Sequence, residues 1–205
     1  MARALIFVDN PPLDDLLQES LIYFVEAVHR DTYYTHAMLY SRNMADIAYP
    51  YLPVGRTFIY VGEDNPFMQE AREYARLYSL DDTIKTGSIV VKGGTIIGRG
   101  ANGSDYHAKH GCERVKRGIQ TGEGYELCEG CHPRNHSEPR AIADAIKNGH
   151  DTVGADLYLW GHWWACEPCW NAIIEAGIEN VYLLKGSEKL FNKTNPDNIV
   201  GRQFE

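Results

Sequence analysis

All five cysteines of this 205-residue chain fall between Cys112 and Cys169, and four of them make two Cys-x-x-Cys pairs, Cys128–Cys131 and Cys166–Cys169. An odd number of thiols crowded into one window is a poor basis for a disulfide framework. It suits metal coordination in a reducing compartment. His107, His110, His132 and His136 share the window, so any fold of this segment must bring soft donors from separate turns to common points.

The surrounding pattern is mixed helix and strand. Asn65-Pro66 offers an N-cap and a first-turn proline, and Phe67, Ala71, Tyr74, Ala75 and Tyr78 follow at helical spacing. Ser88–Lys92, Gly93-Gly94 and Thr95–Arg99 read as two strands joined by a two-residue turn, in which paired glycines supply the positive φ angles. A helix is expected from Ser137 to Asn148, a strand over Leu157–Trp160, a helix from Pro168 to Ala176 and a strand over Val181–Leu184. Helix and strand alternating at this spacing imply crossover connections and a parallel portion of sheet.

Between these elements, Ala101–Asn135 is polar and rich in glycine. A loop of that length is unusual in a compact domain unless something cross-links it. Upstream, Leu16, Leu17, Leu21, Phe24, Val25 and Val28 mark an amphipathic helix over residues 13–30, and a tyrosine-rich tract broken by Pro50 and Pro53 ends in a short strand near Arg56–Val61. Residues 1–65 are therefore read as an extension of unknown role ahead of one domain, 66–205.

Two short patterns stand at the starts of the crossover helices: His136-Ser137-Glu138 and Cys166-Glu167-Pro168-Cys169. Both helix N-termini face the same sheet edge. One imidazole and two thiolates are a zinc donor set that leaves the fourth tetrahedral position open for water, as catalytic sites require. A helix N-terminus favours thiolate over thiol. Glu138, two residues past the histidine, sits where a general acid/base belongs.

His-x-Glu followed by Cys-x-x-Cys resembles the cytidine and deoxycytidylate deaminase superfamily. The likeness extends from Asn65 to Lys185, taking in Gly87–Gly103 as the family's first hairpin and substrate loop and Cys169–Ile178 as its second zinc helix. It implies a three-layer α/β fold of the cytidine-deaminase type, with a mixed central sheet flanked by helices. It also implies that His136, Cys166 and Cys169 hold zinc. Glu138 then moves protons between the attacking water, a ring nitrogen and departing ammonia, and Asn102 contacts the nucleoside.

Two features depart from the family pattern: Ala165 replaces the usual proline before the first zinc cysteine, and Gly161–Ala165 is longer than usual. All four tryptophans, Trp160, Trp163, Trp164 and Trp170, crowd this region. Either one or two of them form an aromatic wall beside the base, or all pack as core.

A second, structural zinc is expected on Cys112, Cys128 and Cys131, with His107, His110 or His132 as fourth donor; some deoxycytidylate deaminases carry a Cys/His-rich insert here. The alternative is three reduced surface thiols. His29, His36, His150 and His162 read as ordinary polar or core residues.

Net charge of −8 and pI near 5.5 argue against a long nucleic acid partner, which needs a basic footprint. Basic residues collect at Arg114, Lys116, Arg117, Arg134 and Arg140, as a phosphate holder or a solvated face. No apolar run is long enough to span a membrane, and Ala4–Val8 stops at Asp9, short of a signal-peptide core. A cytoplasmic enzyme acting on CMP or dCMP is expected, forming a homo-oligomer by analogy with the family. The rival readings are another amine-bearing base or pyrimidine (guanine, a tRNA adenosine, a riboflavin-pathway intermediate) and a non-catalytic zinc-stabilised binding module.

Overall fold

The computed structural model describes residues 47–205 apart from Thr121. The helix read over residues 13–30 lies outside the described residues. Tyr49–Glu205 form one compact unit, built on five strands: β1 (Phe58–Val61), β2 (Gly87–Lys92), β3 (Thr95–Ala101), β4 (Asp156–Trp160) and β5 (Asn180–Leu184). Their spatial order is β1-β5-β4-β2-β3. β5 runs parallel to both β1 and β4, and β2 runs antiparallel to both β3 and β4, so the sheet is mixed as expected.

Period-2 alternation assigns the two faces. Val90, Leu157, Leu159, Val181 and Leu183 join Ala141, Ile142, Ala145, Trp170 and Ile173 of two helices, α4 (Ser137–Lys147) and α5 (Glu167–Glu175), in one core. Their neighbours Ile89, Val91, Tyr158, Trp160 and Leu184 face the other way, onto Met68, Ala71 and Ala75 of α1 (Pro66–Tyr78). The result is three layers, helix on sheet on helix.

Local chemistry sets the element ends. Asn65 Oδ1 accepts from the amides of Phe67 and Met68, both at 3.0 Å, and so caps α1. Gly93 and Gly94 turn the β2–β3 hairpin at φ of 57° and 76°. Gly98 and Gly100 of β3 let α4 lie directly on the strand: a Cβ at Gly100 would stand 2.2 Å from the Ser137 carbonyl oxygen, and one at Gly98 2.2 Å from that of Ala141.

The long segment after β3 is not a featureless loop. It contains α2 (Asp105–His110), α3 (Glu113–Lys116) and three single turns of 3-10 helix at Tyr125–Leu127, Glu129–Cys131 and Pro133–Asn135. None is long enough to show hydrophobic periodicity. A last short helix, α6 (Ser187–Leu190), brings Phe191 against Trp160, where Phe204 also packs.

Candidate active site

β3 delivers the chain to α4 and β4 delivers it to α5, and because both strands run antiparallel to β2 the two helices start at one edge of the sheet. His136 is the N-cap residue of α4, and Cys166 is the N-cap residue of α5 with Cys169 in its first turn. His136 Nδ1 lies 3.2 Å from Cys169 Sγ and 3.4 Å from Cys166 Sγ, and the two sulfurs are 3.2 Å apart. Tetrahedral zinc with ordinary bond lengths gives N···S and S···S edges of about 3.6 and 3.8 Å, so this triangle fits the ion after outward movement of a few tenths of an ångström.

Electrostatics point the same way. The hydrogen bond shared with Cys169, helped by His136, draws the Cys166 thiol down to about 5 against the pull of burial. That shared hydrogen bond, burial and Glu138 together push the Cys169 thiol well up. The two move in opposite directions because their contact stabilises a single negative charge. A divalent cation stabilises two. For His136, burial opposes protonation, but the hydrogen bond and charge of Cys166 outweigh it and its imidazole pKa rises.

Glu138, only 6% exposed, sits beside this group. Two fully buried residues hold its carboxylate: Ser88 Oγ donates to Ser137 Oγ at 2.9 Å, and Ser137 Oγ donates to Glu138 Oε2 at 3.0 Å. This serine relay was not read from the sequence. The only signal for it was Ser88, a polar residue at the head of the apolar run Ile89–Val91; Ser137, between His136 and Glu138, gave none.

The sites open on a cavity of about 610 Å³ lined by His136, Glu138, Cys166, Asn102, His162 and Trp164, among others, a size that suits a small-molecule ligand. Trp164 lines the cavity while packed in the core at 5% exposure, and Trp160 and Trp170 are core residues away from the lining. His162, taken as an ordinary histidine, belongs to the cavity wall, and burial brings its imidazole down to about 4. Asn102 also lines the cavity, with its amide engaged: Oδ1 accepts from Ser79 Oγ and Thr86 N at 2.6 and 2.8 Å, and Nδ2 donates to the Ile84 carbonyl at 2.7 Å.

A second donor group forms within the segment after β3. His107 Nε2 stands 3.3 Å from Cys128 Sγ and 3.5 Å from Cys131 Sγ, and Cys112 and Cys131 are 3.4 Å apart at sulfur. Of the three candidate fourth donors, His107 joins the cysteines; His110 and His132 do not. Despite burial, backbone amides of Glu113 and Cys131 and the His107 side chain lower the Cys128 thiol to about 6. Among the described residues, this group has four donors and the first has three, the division between closed structural zinc sites and open catalytic ones.

The basic residues are already occupied. Lys116 and Arg117 pair with Glu113 at 3.6 and 2.9 Å, and Arg134 pairs with Glu129. Arg114 and Arg140 donate to backbone carbonyls. A phosphate would have to displace these partners.

An α/β layer sandwich presenting a His-Cys-Cys group beside a buried glutamate has the donor set of a zinc-binding deaminase domain. Residues 61–185 match the family model for the cytidine and deoxycytidylate deaminase zinc-binding region, and the chain belongs to that family. No curated protein matches it. Among solved structures, it is similar to a diaminohydroxyphosphoribosylaminopyrimidine deaminase/5-amino-6-(5-phosphoribosylamino)uracil reductase from Thermotoga maritima, at 27% identity and a TM-score of 0.35, over 57% of this chain and 28% of that one. A dCMP deaminase from the cyanophage S-TIM5 is 22% identical over 62% of this chain and 87% of that one, with a TM-score of 0.39. A guanine deaminase from Bacillus subtilis is 23% identical over 57% and 60%, with a TM-score of 0.36. No helix among the described residues is long and apolar enough to cross a membrane.

Proposed function

We propose that the chain hydrolyses the exocyclic amine of a cytosine-type nucleotide, converting CMP or dCMP to UMP or dUMP and ammonia. The observation that carries this reading is the convergence of His136, Cys166 and Cys169 within 4.8 Å of one another, beside buried Glu138 and open to a cavity. These three residues would hold the catalytic zinc. Zinc held there supplies a Lewis acid that makes water nucleophilic near neutral pH.

Glu138 takes a proton from the attacking water and passes it to the ring nitrogen next to the carbon under attack. As the carbon–nitrogen bond breaks, Glu138 delivers the second proton to the leaving amine, so water adds across the bond and ammonia departs. Ser137, backed by Ser88, fixes the carboxylate for both transfers. Asn102 retains one amide N–H for a substrate oxygen, beyond the one bonded to Ile84. Trp164 offers a face for the base. The second group, His107, Cys112, Cys128 and Cys131, holds a structural zinc.

Glu138→Gln tests the reading. It should leave zinc in place and lower ammonia release from CMP or dCMP by about 10²–10⁴-fold, the usual worth of a positioned acid/base. Turnover that survives the substitution, or a panel of bases, nucleosides and monophosphates in which no cytosine compound reacts, overturns it.

A further inference from the structure

At the cavity, β2 loses both of its neighbours at once. Gly87, its first residue, pairs with Ala101 of β3 on one side and with Trp160 of β4 on the other. Just past that pairing β4 turns away at Gly161, φ 89°, where an added Cβ would stand 2.2 Å from the Lys85 carbonyl oxygen. The backbone of Ile84–Thr86 therefore has no strand beside it, although Ile84 and Thr86 both line the cavity.

Two side-chain amides stand where the strands are missing. On the β3 side Asn102 Oδ1 accepts from Thr86 N at 2.8 Å, Asn102 Nδ2 donates to the Ile84 carbonyl at 2.7 Å, and the Asn102 backbone amide donates to the Thr86 carbonyl at 3.1 Å. On the β4 side Gln203 Oε1 accepts from Lys85 N at 3.3 Å and Gln203 Nε2 donates to the Lys85 carbonyl at 3.0 Å. In an extended chain the N–H and C=O of one residue share an edge and those of the next residue take the opposite one. Gln203 thus pairs with Lys85, and Asn102 with the residues on either side of it. A primary amide carries both an acceptor and donors, so each can close such a pair alone.

Gln203 is buried at 7% exposure and lies beyond the residues 61–185 that match the family model. Its segment is seated by Phe191 and Phe204, both against Trp160. Asn102 commits Oδ1 and one Nδ2 hydrogen to the Ile84–Thr86 backbone, so the direction of its remaining N–H follows that backbone. Without Gln203, the Lys85 N–H and C=O lose these partners in a half-buried place and the tripeptide is gripped from one side only.

We propose that Gln203 is a positioning residue for substrate binding: paired with the Lys85 backbone, it completes a two-sided clamp on Ile84–Thr86 and so aims the Asn102 amide into the cavity. The proposal rests on the reading that Asn102 contacts a CMP or dCMP substrate, and its test separates the two. Gln203→Met keeps the length of the side chain and removes both hydrogen bonds. Its KM should rise about 3–10-fold, what one neutral hydrogen bond contributes, with kcat and zinc content near native, the pattern of lost uniform binding. Gln203→Glu, which keeps the acceptor and loses the donor, should move KM in the same direction. The Thr86 amide, whose acceptor is Asn102, should exchange with deuterium faster in both variants while Val90 in mid-strand keeps its protection; a general loss of stability would speed both.

Phe191→Leu loosens the same segment without touching the amide, so it should lower the melting temperature and leave KM native. Asn102→Ala should raise KM at least as far as Gln203→Met, and the two together no further than Asn102→Ala alone, because both act through one amide. A native KM in the Gln203 variants beside a raised KM in Asn102→Ala overturns the proposal and leaves the reading of Asn102 standing, as does an equal rise in Phe191→Leu. A native KM in Asn102→Ala overturns both.

Discussion

Gly100→Ala should damage stability and chemistry together, because α4 carries His136 and Glu138 and lies on β3 at this glycine. The added Cβ would meet the Ser137 carbonyl oxygen at 2.2 Å and the Ala141 amide nitrogen at 2.3 Å. Ordinary contact begins at 3.4 Å, so helix and strand must part by about 1.2 Å. Both clashing atoms are backbone and cannot swing aside. Overpacking of this kind costs ~1–3 kcal/mol, partly offset by the roughly 0.4–1 kcal/mol that alanine contributes by restricting the unfolded chain. A net loss of about 1.3 kcal/mol lowers the melting temperature by about 3–5 °C in a domain of this size. A catalytic group misplaced by about 1 Å can lose 10²-fold in rate. Gly98→Ala provides the comparison: its Cβ meets the Ala141 carbonyl oxygen at the same 2.2 Å, about one turn further from the helix tip. Calorimetry should show similar melting losses for the two variants, and ammonia release should fall much further for Gly100→Ala. Native melting and native turnover in Gly100→Ala would refute the packing account. Equal loss of turnover in both would refute the claim that the helix tip is what matters.

Metal analysis should find two zinc ions per chain, and stripping them should accelerate amide hydrogen exchange across residues 101–135 while β2 and β4 stay protected; a single ion would remove the second site. In the stripped chain the depressed thiols, Cys166 near 5 and Cys128 near 6, should give thiolate ultraviolet absorbance that grows as pH rises through those values. An ordinary thiol waits until about 8.5, so Cys166→Ser should delete the lower step and Cys128→Ser the upper. Asn65→Ala removes the acceptor for two α1 amides and should cost ~1 kcal/mol by chemical denaturation with no change in zinc content.

What the sequence made legible was whatever depends on local chemistry. Asn65-Pro66, the Gly93-Gly94 turn and the 3.6-residue spacing in α1 and α4 each act within a few residues, and the elements appeared within a residue or two of the positions read from them. The His-x-Glu and Cys-x-x-Cys groups were legible for the same reason, since each sits at one helix start. Features set by distant partners were not. α2 and α3 lack periodicity; α2 contains His107 and Cys112 is the N-cap residue of α3, so both adjoin the group around Cys131. His107, His110 and His132 looked equivalent until the chain folded, and Ser88 and Ser137 became a relay only when β2 met α4.

The cavity joins these two kinds of structure. Its reactive side, His136, Glu138 and Cys166, is held by sheet and helix, which fix backbone position through many cooperative contacts. Another part of the lining, including Ile119, Tyr125 and Cys131, comes from the segment after β3, whose elements are too short to hold a shape by burial alone. On the zinc reading, the second ion is what makes that part a wall. The reacting carbon must sit by Glu138, so the rest of the substrate extends toward the remaining lining, the cross-linked segment included. On the proposed function, bond cleavage would fall to the helix tips, and contacts to the rest of the substrate to the segment that a second metal would cross-link.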